Sequence, residues 1–158
     1  LAEAWKGMPE AIVKDWRLEI IGPYSKEYVA SLELGVNKTA VFVGELEHKA
    51  ALERLNYSKA FVLPSYTEGF PNSVLEAMAL GKIIVATDVG AIPEMLSGDC
   101  GIVIKAKNVE ELKNALFKVV TENVGKLGIN AFRKVKEKYE ISKVVEQYIR
   151  LWRKSDVI

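Results

Sequence analysis

Short runs of Val, Ile, Leu and Phe alternate along this chain with longer stretches in which apolar residues return every three or four positions. The runs at residues 18–21, 40–43, 60–63, 83–86 and 102–104 are short and rich in Val, Ile, Leu or Phe, which predicts strands buried on both faces. Between them the helical period predicts helices over residues 1–8, 26–34, 46–56, 73–80, 92–96 and 109–121. Two more follow residue 124, separated by the break Tyr139-Glu140-Ile141-Ser142. Gly22, Gly35, Gly44 and Gly81 punctuate the pattern. Asn108 ahead of Val109-Glu110-Glu111-Leu112 is an N-cap followed by acidic residues, where the helix dipole favours them. Strands alternating with helices predict βα units and an α/β domain with a mainly parallel sheet.

Composition narrows the picture. A chain of 158 residues, 49% of them hydrophobic, suits one domain over residues 1–158 with its own core. Lys and Arg number 22 against 21 Asp and Glu, so no global field attracts nucleic acid, and any anion site must be local. No apolar run is long enough to span a bilayer and the first residues resemble no signal peptide, so the expectation is a soluble, cytoplasmic protein. From Asn123 onward nine Lys or Arg stand against four Asp or Glu. A solvated helical face is the leading reading of that tail; peripheral contact with a membrane or an acidic partner is the other.

The single cysteine, Cys100, excludes an internal disulfide and reads as small core filler. The single histidine, His48, lies in a helical pattern of Glu and Lys and reads as a solvated surface residue, which sets aside histidine triads and histidine metal sites. Familiar phosphate loops are absent. Gly81-Lys82 runs into Ile83-Ile84 rather than Ser or Thr, and Gly22-Pro23-Tyr24-Ser25 closes the first visible strand in place of a Gly-x-Gly-x-x-Gly. No Asp-x-Asp occurs to bridge a diphosphate through a metal, so the expected site uses no metal and no cofactor.

Chemistry concentrates in one segment. Phe61-Val62-Leu63-Pro64-Ser65 ends a strand, Tyr66-Thr67-Glu68-Gly69-Phe70-Pro71-Asn72 is a loop, and a helix follows from Ser73. In an open α/β sheet such a loop lies at the carboxyl edge, where ligands bind, and the helix start turns free N–H groups toward them. Backbone donors from Phe70 to Val74, the Ser73 hydroxyl and the Asn72 amide would suit a phosphate, each charge-assisted bond contributing about 1.5–3 kcal/mol. A purely structural reading stands beside this one. Ser73-x-x-Glu76 has the spacing of a capping box, in which Glu76 returns to the backbone of Ser73. Gly69 and Pro71 would then serve only the turn. Glu68 reads either as an ordinary surface acid or, within reach of the expected anion site, as an acceptor for sugar hydroxyls.

Glu68-x7-Glu76, set in Pro64-Ser65-Tyr66-Thr67-Glu68-Gly69-Phe70-Pro71-Asn72 and continued by Leu75-Glu76-Ala77-Met78-Ala79-Leu80-Gly81, resembles the Glu-x7-Glu motif of retaining GT-B glycosyltransferases. Val85-Ala86-Thr87-Asp88-Val89-Gly90-Ala91-Ile92-Pro93-Glu94 and Gly101-Ile102-Val103-Ile104 follow the order of that family. The resemblance implies a Rossmann-like three-layer α/β/α domain, the C-terminal, donor-binding half of a two-domain enzyme that takes a nucleoside-diphosphate sugar. It implies that Glu68 contacts the sugar near the reacting carbon and that Glu76 holds the ribose. Gly69, Phe70, Pro71, Asn72 and Ser73 would line sugar and diphosphate, with Val74 and Leu75 alongside. Gly44 and Glu45 match the loop near the base, Tyr66 would pack nearby, and Thr87, Asp88 and Gly90 would shape the cleft.

The first residues, Leu1-Ala2-Glu3-Ala4-Trp5, match the helix after the family's first strand, so that strand and its Arg and Lys are expected to be missing. Because the family places it centrally, its neighbours should either pair directly or leave an edge open to a second copy of the chain. A helix N-terminus supplies at most ~2 kcal/mol against the ~8 kcal/mol or more that catalysis demands. Other groups are therefore needed, and the glycan or lipid-linked acceptor would come through an N-terminal domain. By resemblance the enzyme works in the cytoplasm at the inner face of the membrane, in bacterial polysaccharide or capsule synthesis. A sugar-nucleotide epimerase of the same fold and a non-catalytic binding module are the alternatives.

Overall fold

The structure is a computed structural model that describes residues 1–31 and 39–155. Five strands form: β1 (Leu18–Ile21), β2 (Ala40–Gly44), β3 (Ala60–Leu63), β4 (Ile83–Thr87) and β5 (Ile102–Ile104). Each apolar run of the sequence is one of them, with β2 and β4 a residue longer than expected. The helices are α1 (Ala2–Lys6), α2 (Glu10–Val13), α3 (Lys26–Ser31), α4 (His48–Tyr57), α5 (Asn72–Ala79), α6 (Ile92–Met95), α7 (Val109–Thr121), α8 (Gly125–Lys134) and α9 (Ile141–Ser155). A π-helical turn, Val135–Tyr139, extends α8. The expected helix over residues 1–8 is α1 alone, and α2 was not anticipated. Pro9 sits at its N-cap, where its missing N–H costs nothing. Residues 32–34 of the expected third helix lie outside the described residues.

All observed pairings are parallel. β1 pairs β2 from Leu18 opposite Ala40 to Ile21 opposite Gly44, with a register shift between Ile20 and Ile21. β3 pairs β4 from Ala60 opposite Ile83 to Leu63 opposite Ala86, and β4 pairs β5 from Val85 opposite Ile102 to Thr87 opposite Ile104. Side chains of β4 alternate between two cores. Val85 joins Trp5, Val13, Leu112, Leu116 and Val119 on the face covered by α1, α2 and α7. Ile84 and Ala86 join Val74, Met78, Ile92, Met95 and Ala131 on the face covered by α5, α6 and α8. Three layers result, as a sheet buried on both faces requires.

The strands do not form one continuous sheet: β1–β2 and β3–β4–β5 are separate. Between them opens a cleft of about 270 Å³ lined by Leu18 of β1, Ala60 and Val62 of β3, and the side chains of Trp5, Trp16 and Leu116. Of the two expected arrangements, direct pairing of β1 with β3 is not seen: the two strands face each other across the cleft. The Lys59 ammonium lies over the Trp16 ring, 4.9 Å from its centre, at one end of the cleft.

Helix ends follow their local chemistry. Asn108 accepts from the Glu111 N–H at 3.0 Å and donates its amide to the Glu111 carboxylate at 2.8 Å, so the reciprocal cap of this chain starts α7. At α6 the buried Lys134 closes the C-terminal end, where carbonyls lack intrahelical partners. Its ammonium donates to the Glu94 carbonyl and to the Ser97 carbonyl and hydroxyl, the last two at 3.0 and 2.8 Å. Among the described residues no helix is long and apolar enough to cross a membrane.

Candidate donor-binding site

The His48–Glu76 contact brings the segments after β2 and β3 together, and the expected site residues lie on them. Gly44 ends β2 with a φ of +89°, a conformation glycine adopts without strain, and its carbonyl accepts the Gly22 N–H at 2.9 Å. Glu45 follows on the exposed turn into α4. The β3–α5 loop carries Tyr66, Glu68, Gly69 and Phe70, and Pro71 leads into α5.

Glu68 is held rather than free. The Ser65 hydroxyl donates to its Oε1 at 2.6 Å, and Ser65 is in turn tied down because the buried Thr87 hydroxyl donates to its carbonyl at 2.7 Å. Beneath the loop runs the turn after β4. Gly90 has a φ of +56°, and a side chain there would run into the Glu68 carbonyl; the next residue, Ala91, donates its N–H to the Gly69 carbonyl at 2.8 Å. Asp88 accepts the Ala106 N–H at 3.0 Å, binding that turn to the β5–α7 connection. Thr87, Asp88 and Gly90 thus shape the floor of the loop. Gly69 and Phe70 are exposed, and the Phe70 ring meets Tyr139 of the π-helical turn edge-on, 5.8 Å between centres. Tyr66 is also exposed, under the Lys107 ammonium at 5.7 Å.

The capping-box reading of Glu76 is corrected. α5 begins at Asn72 with Pro71 at the N-cap and no side-chain cap bond, so Glu76 sits in the second turn, past the reach of a box. Its Oε1 instead meets His48 Nε2 at 2.8 Å. The N–H groups of Asn72 and Ser73 precede the first bond of the helix, which the Val74 N–H makes to the Pro71 carbonyl at 3.1 Å. Pro71 and Val74 are buried, Leu75 and Ser73 half-buried, and Asn72 exposed. Asn72 thus faces solvent between Pro71 and Val74, which are anchored in the core.

His48 is a solvated helix residue as expected, its side chain 73% exposed, and it also meets Glu76 across 28 residues of sequence. The pair joins the start of α4, just after Gly44 and Glu45, to the middle of α5. Helical periodicity carries no signal for such a contact, and neither Ser65 nor Tyr139 stood out in the sequence. Among the described residues no group of three or more His, Cys, Asp or Glu is placed to hold a metal ion.

Residues 1–138 match the family model described as Glycosyl transferases group 1. An N,N'-diacetylbacillosaminyl-diphospho-undecaprenol alpha-1,3-N-acetylgalactosaminyltransferase of Campylobacter jejuni is 34% identical over 105 residues, 64% of this chain and 27% of that protein. The first relatives matched are covered over 23% to 40% of their length, so this chain spans less than half of each. Among solved structures, Anabaena Alr3699/HepE in complex with UDP superposes with a TM-score of 0.79 at 18% identity, over 98% of this chain and 44% of that one. The C-terminal domain of a glycosyl transferase group 1 family protein (LpcC) from Francisella tularensis superposes with a TM-score of 0.75 at 24% identity, over 89% and 77%. The fold is that of the C-terminal half of a GT-B enzyme.

Proposed function

The chain belongs to the glycosyl transferases group 1 family, and from that premise we propose that it is the donor-binding half of a retaining glycosyltransferase. Such an enzyme moves a sugar from a nucleoside diphosphate to a glycan or lipid-linked acceptor. The observation that carries this reading is the placement of the two carboxylates. Glu68 is pinned by Ser65 in the β3–α5 loop, and Glu76 is joined by His48 to the loop after β2. One acid stands before the start of α5 and the other behind it, so a diphosphate at the helix start would have its sugar beside Glu68 and its ribose beside Glu76.

Each group then has a task. Glu68 accepts hydroxyls of the sugar near the reacting carbon, and Glu76 accepts those of the ribose. The N–H groups of Phe70, Asn72 and Ser73, with the Asn72 amide and the Ser73 hydroxyl, hold the diphosphate and stabilise the negative charge that develops as it leaves and an oxocarbenium-like centre forms. Gly44 and Glu45 border the base. Helix-end electrostatics supply only a small part of the needed stabilisation. The remaining charge-stabilising and acceptor-binding groups are assigned to parts of the enzyme other than these residues. The exposed row Val145, Tyr148, Ile149 and Trp152 on α9, with Lys143 and Arg150 on the same helix, supports peripheral contact at the inner face of a membrane. We assign neither metal nor cofactor to the reaction.

Titration calorimetry of the 158-residue chain with UDP, GDP and ADP tests the reading. UDP is the first probe because a fold neighbour is solved with it. Weak saturable binding of at least one nucleotide, without transfer activity, is expected; no binding of any of the three overturns it.

A further inference from the structure

Glu76 is a mid-helix acid whose side chain is 31% exposed, and it has a partner on only one of its two oxygens in the contact with His48. A glutamate on a helix surface keeps several rotamers of similar energy, and a short bond to a single oxygen selects among them. The bond requires the His48 ring to carry a proton on Nε2, the only arrangement in which it donates to a carboxylate. His48 itself is the first residue of α4, so its backbone is set by the turn Gly44–Glu47 rather than by α5. The neighbouring charges on its own side are Glu45, Glu47 and Lys49, and across the gap Glu76 is the one charged residue of α5. Nothing in local folding demands this contact: α4 has no capping bond through His48, and α5 has no cap through Glu76.

We propose that His48 is a positioning residue of the nucleotide site. It holds Glu76 by Oε1 and leaves Oε2 to accept the ribose diol of a nucleoside diphosphate. This rests on the donor-binding reading above. Without His48 the carboxylate samples orientations in which the diol finds no aligned acceptor, so ribose recognition weakens while diphosphate recognition does not. The two are separable because a 2'-deoxynucleotide keeps the diphosphate and lacks half of the diol.

The experiment compares UDP, GDP and ADP with their 2'-deoxy counterparts by calorimetry on the wild-type chain and on H48A, H48Q and E76Q, with melting temperatures recorded alongside. Wild type is expected to prefer the ribonucleotide. H48A should lose about five- to tenfold in affinity for the ribonucleotide, the worth of one aligned hydrogen bond, and little for the deoxynucleotide. H48Q, whose amide can still donate to Glu76, should recover much of the preference. An H48A chain that discriminates as wild type does overturns the role of His48. If E76Q also discriminates normally, the ribose assignment of Glu76 falls as well. If E76Q loses discrimination and H48A keeps it, only the positioning role falls. Wild type that binds none of the nucleotides removes the donor reading and this inference together. Equal loss of both nucleotide types in H48A, with a lowered melting temperature, assigns His48 to structure and overturns the proposal.

Discussion

Gly90 lies so close under Glu68 that a Cβ on the glycine would overlap the glutamate's carbonyl oxygen, while the Ala91 N–H holds the neighbouring Gly69 carbonyl at 2.8 Å. The turn after β4 is therefore the mould on which the β3–α5 loop is cast, and the loop's backbone cannot settle lower.

From this contact comes the first prediction. Gly90→Ala places a side chain at a φ of +56°, which costs about 1–2 kcal/mol, and forces the loop upward, for about 1–3 kcal/mol more. Urea unfolding should show a loss of roughly 2–5 kcal/mol, and nucleotide affinity should fall with it. A variant as stable as wild type would mean that the loop moves freely.

Ser65 and Glu68 allow stability and function to be separated. Ser65→Ala removes one hydrogen bond at the surface of the loop and should cost about 0.5–1.5 kcal/mol. Glu68→Ala removes the acid without disturbing the core, so the melting temperature should hardly change. In an enzyme carrying both halves, turnover should fall by two or more orders of magnitude for Glu68→Ala, on the order of the effect of removing one preorganised electrostatic group. Normal turnover with Glu68→Ala would take the residue out of the site.

The open cleft between β1 and β3 predicts association. Strand edges facing an apolar groove lined by Leu18, Ala60 and Val62 are templates for a further strand, and a second copy of the chain is the partner at hand. Light scattering of the 158-residue chain should show mass rising with concentration. A monodisperse monomer at high concentration would show the edges to be self-protected.

Alkaline pH should loosen the second core. Burial pushes the Cys100 thiol above its ordinary 9.0, partly offset by the nearby Lys134 ammonium. The folded state then holds a proton that the unfolded chain gives up sooner. The thiol's contribution is complete below about pH 9 and declines as pH rises through the raised value. Lys134 acts in the opposite sense, because burial lowers its value below 10.5 and stability gains as its proton leaves. The Cys100 part is isolated by comparing wild type with Cys100→Ala: the difference in unfolding free energy should shrink above about pH 9. A constant difference would refute it.

Much of this molecule was legible from local pattern. All five strands lie where runs rich in Val, Ile, Leu or Phe predicted them, and β4, buried along most of its length, leaves no room for polar alternation, whereas β1 admits the half-buried Glu19. The Asn108 cap was legible because its partner is three residues away. The capping box at Ser73 failed for an equally physical reason. Pro71, at an extended φ and ψ, lets α5 start a residue earlier, and Glu76 then has a better partner at His48 than at its own helix end. Spacing reports what a side chain can reach along its own element, never what another element brings to it.

The sequence by itself determined the α/β class, the order of the elements and the loop-and-helix segment in which Glu68 and Glu76 lie, since these depend on periodicity and on neighbours a few residues apart. Only the tertiary structure decided that β1 and β3 stay apart around a cleft, that Gly90 sets the height of the donor loop, and that the single histidine rests on Glu76. Those outcomes are contacts between elements distant in sequence, and they depend on how two faces of a sheet pack, which no local pattern encodes.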